Sequence, residues 1–109
     1  MNRTETRTHV TVLTVPDCPS LSLLRERLSE ALERRHVVLE WIEVPDAESA
    51  ARQKMSGSPT LLLDGVDPFA HDGTGPSLSC RLYRHADGTT DGAPTLAELR
   101  RVLAGAGMP

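Results

Sequence analysis

Two cysteines are the strongest chemical groups in this 109-residue chain. Cys18 lies in VPDCPSL, where an extended apolar run gives way to a leucine-striped segment, and Cys80 lies in SLSCRLY. A thiolate is the nucleophile of disulfide exchange and a ligand for soft metals, so either chemistry turns on which sulfur is made anionic. Cys18 has the position for it. A sulfur at or beside a helix N-cap faces unpaired N–H groups and the positive end of the helix dipole, which favours the thiolate. Ser22, one turn on, adds a hydroxyl donor, and Arg25 adds more distant positive charge. The inert alternative, a small apolar residue or an ordinary cap, stays open for Cys18. For Cys80 the alternatives are a second functional thiol and a packed strand cysteine.

Other groups point less clearly to chemistry. His9, His36, His71 and His85 are scattered without metal-ligand spacing, so no metal and no cofactor is expected. A Cys18–Cys80–His71 site for zinc or mercury is the weaker alternative. Asp64, Asp67 and Asp72 do not follow the calcium-loop pattern and are assigned to turns. Neither a Gly-rich phosphate loop nor a Ser-His-Asp order is present. With 12 Lys and Arg against 15 Asp and Glu, and a net charge of −3, the chain carries no electrostatic footprint for nucleic acid or anionic lipid. No secretory run and no stretch of membrane-spanning length occurs in the sequence, which reads as cytoplasmic and free of membrane partners. In a reducing compartment two cysteines read as reactive or buried thiols before they read as a structural disulfide.

The elements that must position these groups follow from periodicity and punctuation. Residues 1–8 form a flexible N-terminus, 9–105 a single domain and 106–109 a flexible C-terminus. HVTVLTV (9–15) is apolar on both faces and suits a central strand. From Pro19 to about Arg35, Leu21, Leu24, Leu28, Ala31 and Leu32 form a helical stripe, with Pro19 at the first helical position. VVLEWIEV (37–44) is the second strand, in which Trp41 alternates with core positions and needs no functional role. Asp46 caps a short helix whose inward stripe is Ala47, Ala50, Ala51 and Met55, and Gly57 is its left-handed stop. TLLLDG (60–65) is a third strand ending in an Asp-Gly turn. The connection over 64–78 is longer than a hairpin needs, and such loops are usually functional or disordered; Phe69 is its apolar anchor, with a lid contact as the alternative. SCRLYRH (79–85) is a fourth strand, closed by Asp87-Gly88. Thr95 and Glu98 form a capping box for a last helix burying Leu96, Leu99, Val102 and Leu103 and stopping at Gly105. The order β-α-β-α-β-β-α makes the first two strands parallel by the right-handed crossover rule, with the third and fourth an antiparallel pair. The expected fold is α/β, a mixed four-stranded sheet with helices on both faces.

This order resembles the thioredoxin-like architecture. DCPSL at a strand-to-helix junction resembles the active-site turn of glutaredoxins and thioredoxins, and GSPTLLLDG (57–65) resembles the segment in which those families keep a cis-proline. The resemblance implies a cis bond at Pro59 and a Ser58-Pro59-Thr60 turn that, with Pro19 and Ser22, meets the substrate. It departs at Leu21, which occupies the position of the second cysteine of dithiol members, so disulfide chemistry within the turn is excluded. DCP, GSPTLLLDGVDPFA and SLSCRLY together resemble small bacterial thioredoxin-type proteins labelled alkylmercury-lyase-like. Organomercurial lyases use two separated cysteines and an aspartate that protonates a carbon leaving group; Leu21 stands at that aspartate's position too, which leaves Asp17 or a loop aspartate to replace it.

The expected function is that of a thiol-dependent protein. Cys18 attacks a disulfide or other thiol-reactive substrate, Cys80 serves as the second thiol, and the partner is a small-molecule thiol or a protein disulfide. Two alternatives stand beside it: an alkylmercury-lyase-like or soft-metal protein binding Hg(II) or Cu(I) through both thiolates, and a non-catalytic module that binds a partner through the 64–78 loop. In a regular four-stranded sheet the start of the fourth strand lies away from the Cys18 turn. Cys80 therefore reaches Cys18 only if the long loop redirects it.

Overall fold

A computed structural model describes residues 8–33, 37–70 and 75–105. Of the expected N-terminal tail, 1–8, only Thr8 is described, and it opens the first strand; the expected C-terminal tail at 106–109, and His36, His71 and Asp72, lie outside those residues. The described residues form a mixed α/β structure with three helices: β1 (Thr8–Thr14), α1 (Leu21–Ala31), β2 (Val37–Glu43), α2 (Ala47–Gln53), β3 (Ser56–Ser58), β4 (Thr60–Leu63), β5 (Ser77–Cys80), β6 (Tyr83–Arg84), β7 (Thr90–Asp91) and α3 (Leu96–Gly105).

The apolar β1 takes the middle of a three-stranded sheet of order β2-β1-β4, as its two-faced pattern requires. It runs parallel to β2, from Thr8 beside Val37 to Thr14 beside Glu43, and antiparallel to β4, from Val10 beside Leu63 to Leu13 beside Thr60. Side-chain alternation then sorts the core into two. On one face Val10, Val12, Leu61 and Leu63 pack against Leu24, Leu28 and Ala31 of α1 and Leu99 and Leu103 of α3. On the other, Leu13 and Leu62 pack with Val44, Met55 and Ala50 of α2.

The expected four-stranded sheet is not what forms. The run expected as one strand over 79–85 divides at Arg81 and Leu82. β5 joins β3 in a parallel two-stranded ladder, and β6 turns back through Asp87-Gly88 to pair with β7. The physical reason lies at Arg81. Its guanidinium turns inward to Asp67 Oδ2 at 2.6 Å, to Ser56 Oγ at 3.1 Å and to the Phe69 carbonyl at 3.0 Å. A regular strand there would leave Asp67, 10% exposed, without its countercharge.

Two helix boundaries and one buried stripe also differ from expectation. α1 starts at Leu21 with Ser20 as N-cap, so Pro19 lies before the helix, and Pro16 to Ser20 are spent on turns. α2 buries only Ala50; Ala47 and Ala51 are exposed, while Met55 is buried just beyond the helix. Its left-handed C-cap is Lys54 (φ 65°) and not Gly57. Asp46 does cap α2, accepting from Ser49 N–H at 2.8 Å. The Thr95–Glu98 box closes reciprocally, with Glu98 N–H on Thr95 Oγ1 at 3.1 Å and Thr95 N–H on Glu98 Oε1 at 2.9 Å. Among the described residues no helix is long and apolar enough to cross a membrane.

Candidate functional site

The site begins with Cys18, in the turn between β1 and α1. Asp17 before it adopts a left-handed conformation (φ 58°), and the Cys18 carbonyl accepts the Leu21 N–H at 3.2 Å. The side chain is 8% exposed and belongs to neither apolar cluster. Its polar neighbour is the Ser58 hydroxyl, which donates to Cys18 Sγ at 3.0 Å while accepting the Val15 N–H at 3.1 Å. A serine hydroxyl has one proton. With Val15 donating to its oxygen, that proton is directed at the sulfur.

Ser58 is held by the turn that follows it. The Ser58-Pro59 peptide is cis, the geometry the resemblance implies. Thr60 is fully buried; its Oγ1 donates to the Gly57 carbonyl and accepts the Ser56 N–H at 3.1 Å, so this hydroxyl braces the turn internally. Ser22 and Pro19 are exposed, and the hydroxyl at the sulfur is that of Ser58 in place of Ser22. Arg25 stacks on the Trp41 ring at 4.5 Å, which gives both a packing role.

Residues 80–83 lie across this turn. Cys80 is the ladder partner of Ser58, and the next N–H, from Arg81, donates to the Ser58 carbonyl at 3.0 Å. Tyr83 Oη donates to the Pro59 carbonyl at 2.6 Å. Both carbonyls of the Ser58-Pro59 pair, the groups expected to meet substrate, are thus taken by the chain itself. Gly57 (φ 116°) makes the crossing possible: a Cβ there would lie 2.8 Å from Arg81 Cβ. Phe69 anchors its loop as expected, edge-on to Tyr83 with ring centroids 5.5 Å apart.

The cysteines are therefore not packed alike. Both are free; Cys18 is buried and Cys80 is exposed, so Cys80 is not a packed strand cysteine. Ser58 touches both, Cys18 through its hydroxyl and Cys80 through the β3–β5 ladder. Cys80 is paired through β3, an element absent from the expected topology.

Sequence reasoning missed the Asp67–Arg81 pair and the role of Tyr83. Asp67 fits the turn expected of it, accepting the Phe69 N–H at 2.8 Å, but it also binds Arg81 in a pair whose side chains are each 10% exposed. The available signal was Arg81 next to Cys80, a charged residue interrupting an apolar strand. Among the described residues no group of three or more His, Cys, Asp and Glu could hold a metal ion, and His71 lies outside them. No family model, no curated protein and no solved structure matches the chain.

Proposed function

We propose that the protein is a thiol–disulfide exchange protein of thioredoxin-like type in which Cys18 is the attacking thiol and Cys80 the second thiol. The observation that carries this reading is the Ser58 hydroxyl, oriented by Val15 N–H so that it donates to Cys18 Sγ. A donor aimed at sulfur stabilises negative charge on it more than it stabilises the neutral thiol.

The steps balance without a cofactor. The Cys18 thiolate attacks one sulfur of a small-molecule or protein disulfide, forming a mixed disulfide and expelling the other sulfur as a thiolate. The Cys80 thiolate then attacks Cys18 Sγ, forms the Cys18–Cys80 disulfide and releases the second substrate thiolate. The substrate gains two electrons and the protein loses two. Cys80 suits the second step because it is exposed and neighbours Ser58, the residue in contact with Cys18.

The test is mass spectrometry of the reduced protein after addition of 2-hydroxyethyl disulfide. Wild type passes through a mixed disulfide to an intramolecular disulfide; Cys80→Ser halts at the mixed disulfide on Cys18; Cys18→Ser forms no intramolecular bond. A wild type that accumulates adduct on Cys80 alone overturns the assignment.

A further inference from the structure

We propose that Tyr83 is a positioning residue of the Cys18 site: by holding the Pro59 carbonyl, its hydroxyl fixes the adjacent Ser58 Oγ against Cys18 Sγ. The inference rests on Cys18 as the reacting thiol, and it reaches a residue that touches neither the sulfur nor any substrate.

The chain of contacts is short and each link is geometric. Tyr83 is 4% exposed. Its ring is fixed on two sides, edge-on by Phe69 at 5.5 Å and by the Arg81 guanidinium at 4.5 Å from its centroid. Arg81 is in turn tied to Asp67 at 2.6 Å. The phenol therefore has little freedom, and its hydroxyl meets the Pro59 carbonyl at 2.6 Å. One peptide away, Ser58 Oγ sits between Val15 N–H and Cys18 Sγ. A hydrogen bond to sulfur is directional, so rotation of the turn that carries Ser58 degrades the contact before it disturbs the core.

Charge keeps the link intact over the working pH range. Burial pushes the Tyr83 phenol up; Arg81 opposes this, while Asp67 and Cys18 add to it, and the net effect is a phenol held well above its ordinary value. Tyr83 therefore stays a protonated donor, and its phenol responds to charge on Cys18.

The first test reads the pH profile of Cys18 alkylation by iodoacetamide. In Tyr83→Phe, Cys18 reacts about three- to tenfold more slowly at neutral pH, the span of one net hydrogen bond, and the profile moves to higher pH. Leu82→Ala, at a neighbouring side chain that is 70% exposed, leaves the profile in place. In a Ser58→Ala background Tyr83→Phe has no additional effect. A Tyr83→Phe profile that superimposes on wild type, or a Leu82→Ala shift of equal size, overturns the proposal.

The second test survives failure of Tyr83→Phe to fold and failure of the exchange reaction itself. The chain has one Tyr, so biosynthetic replacement by 3-fluorotyrosine labels Tyr83 alone. Its fluorine resonance shows a titration step in the native protein that is absent from Cys18→Ser. The same titration with and without Cys18 rejects the coupling, whatever the protein does to disulfides.

Discussion

At the scale of single residues, the Asp67–Arg81 pair holds residues 80–83 across the turn that carries Ser58. Both side chains are 10% exposed, and taking one charge from a buried pair leaves the other uncompensated. Asp67→Asn keeps an amide oxygen for the Phe69 N–H but removes the countercharge. It should destabilise the protein by about 3 kcal/mol in urea unfolding, the low end for a broken buried pair, because Arg81 retains the Phe69 carbonyl and Ser56 Oγ. Replacing both partners, Asp67→Asn with Arg81→Met, should recover part of that loss. A single variant as stable as wild type would remove the pair from the account.

At the scale of elements, the β6–β7 hairpin and the segment after it brace the start of α1. Arg27 of α1 reaches Asp91 Oδ2 at 2.9 Å and the carbonyls of Ala93 and Pro94, both at 3.0 Å. Gly92 lies so close to Ser20 that a Cβ there would sit 2.6 Å from Ser20 Cβ and overlap its hydroxyl. Gly92→Ala should therefore cost about 1–3 kcal/mol by overpacking, while Gly75→Ala, in open space, should stay within about 0.5 kcal/mol of wild type. Equal stabilities in thermal unfolding would contradict this packing. The elements that the sequence made legible were those with a local signal: the two-faced β1, the leucine stripe of α1, the Asp46 cap and the Thr95–Glu98 box. Cys18 was legible for the same reason, as a thiol at a strand-to-helix junction. The division of the expected fourth strand was not, because it depends on Arg81 meeting Asp67 fourteen positions away. The parallel β3–β5 ladder was hidden likewise, since SGS (56–58) has no strand pattern and pairs only through tertiary contact.

At the scale of the whole molecule, the hairpin and α3 meet at His85, and α1 joins them through the Arg27–Asp91 pair. Its side chain is 7% exposed, with Nδ1 on Glu98 Oε1 at 3.0 Å and Nε2 on Asp91 Oδ1 at 2.9 Å. Both contacts are donated only by the protonated ring, since a neutral imidazole has one N–H. Burial opposes the charge, but hydrogen bonds to Asp91 and Glu98, and the charges of both, raise His85 above its ordinary value. Its contribution to stability is complete below about pH 6.5 and is lost as pH rises through the raised folded value. Asp91 works in the opposite sense. Its hydrogen bond from Arg27 is the main cause of a pKa held down to about 2, so its contribution is present above its ordinary value of 3.8 and lost as pH falls towards 2. Urea-unfolding stability should accordingly decline on both sides of a window between about pH 4 and 6.5. His85→Gln should lower the window and flatten its alkaline side; an unchanged alkaline slope would contradict the doubly paired imidazolium.

The central claim, that the buried sulfur is the reactive one, is tested most directly by competition within a single molecule. Native protein is treated at neutral pH with limiting iodoacetamide, and modification of the two cysteines is followed by peptide mass spectrometry. Exposure alone favours Cys80, because Cys18 is 8% exposed. Cys18 should nevertheless be alkylated first, and Ser58→Ala should reverse the order. Alkylation of Cys80 first in the native protein, with Cys18 modified only on unfolding, would contradict it.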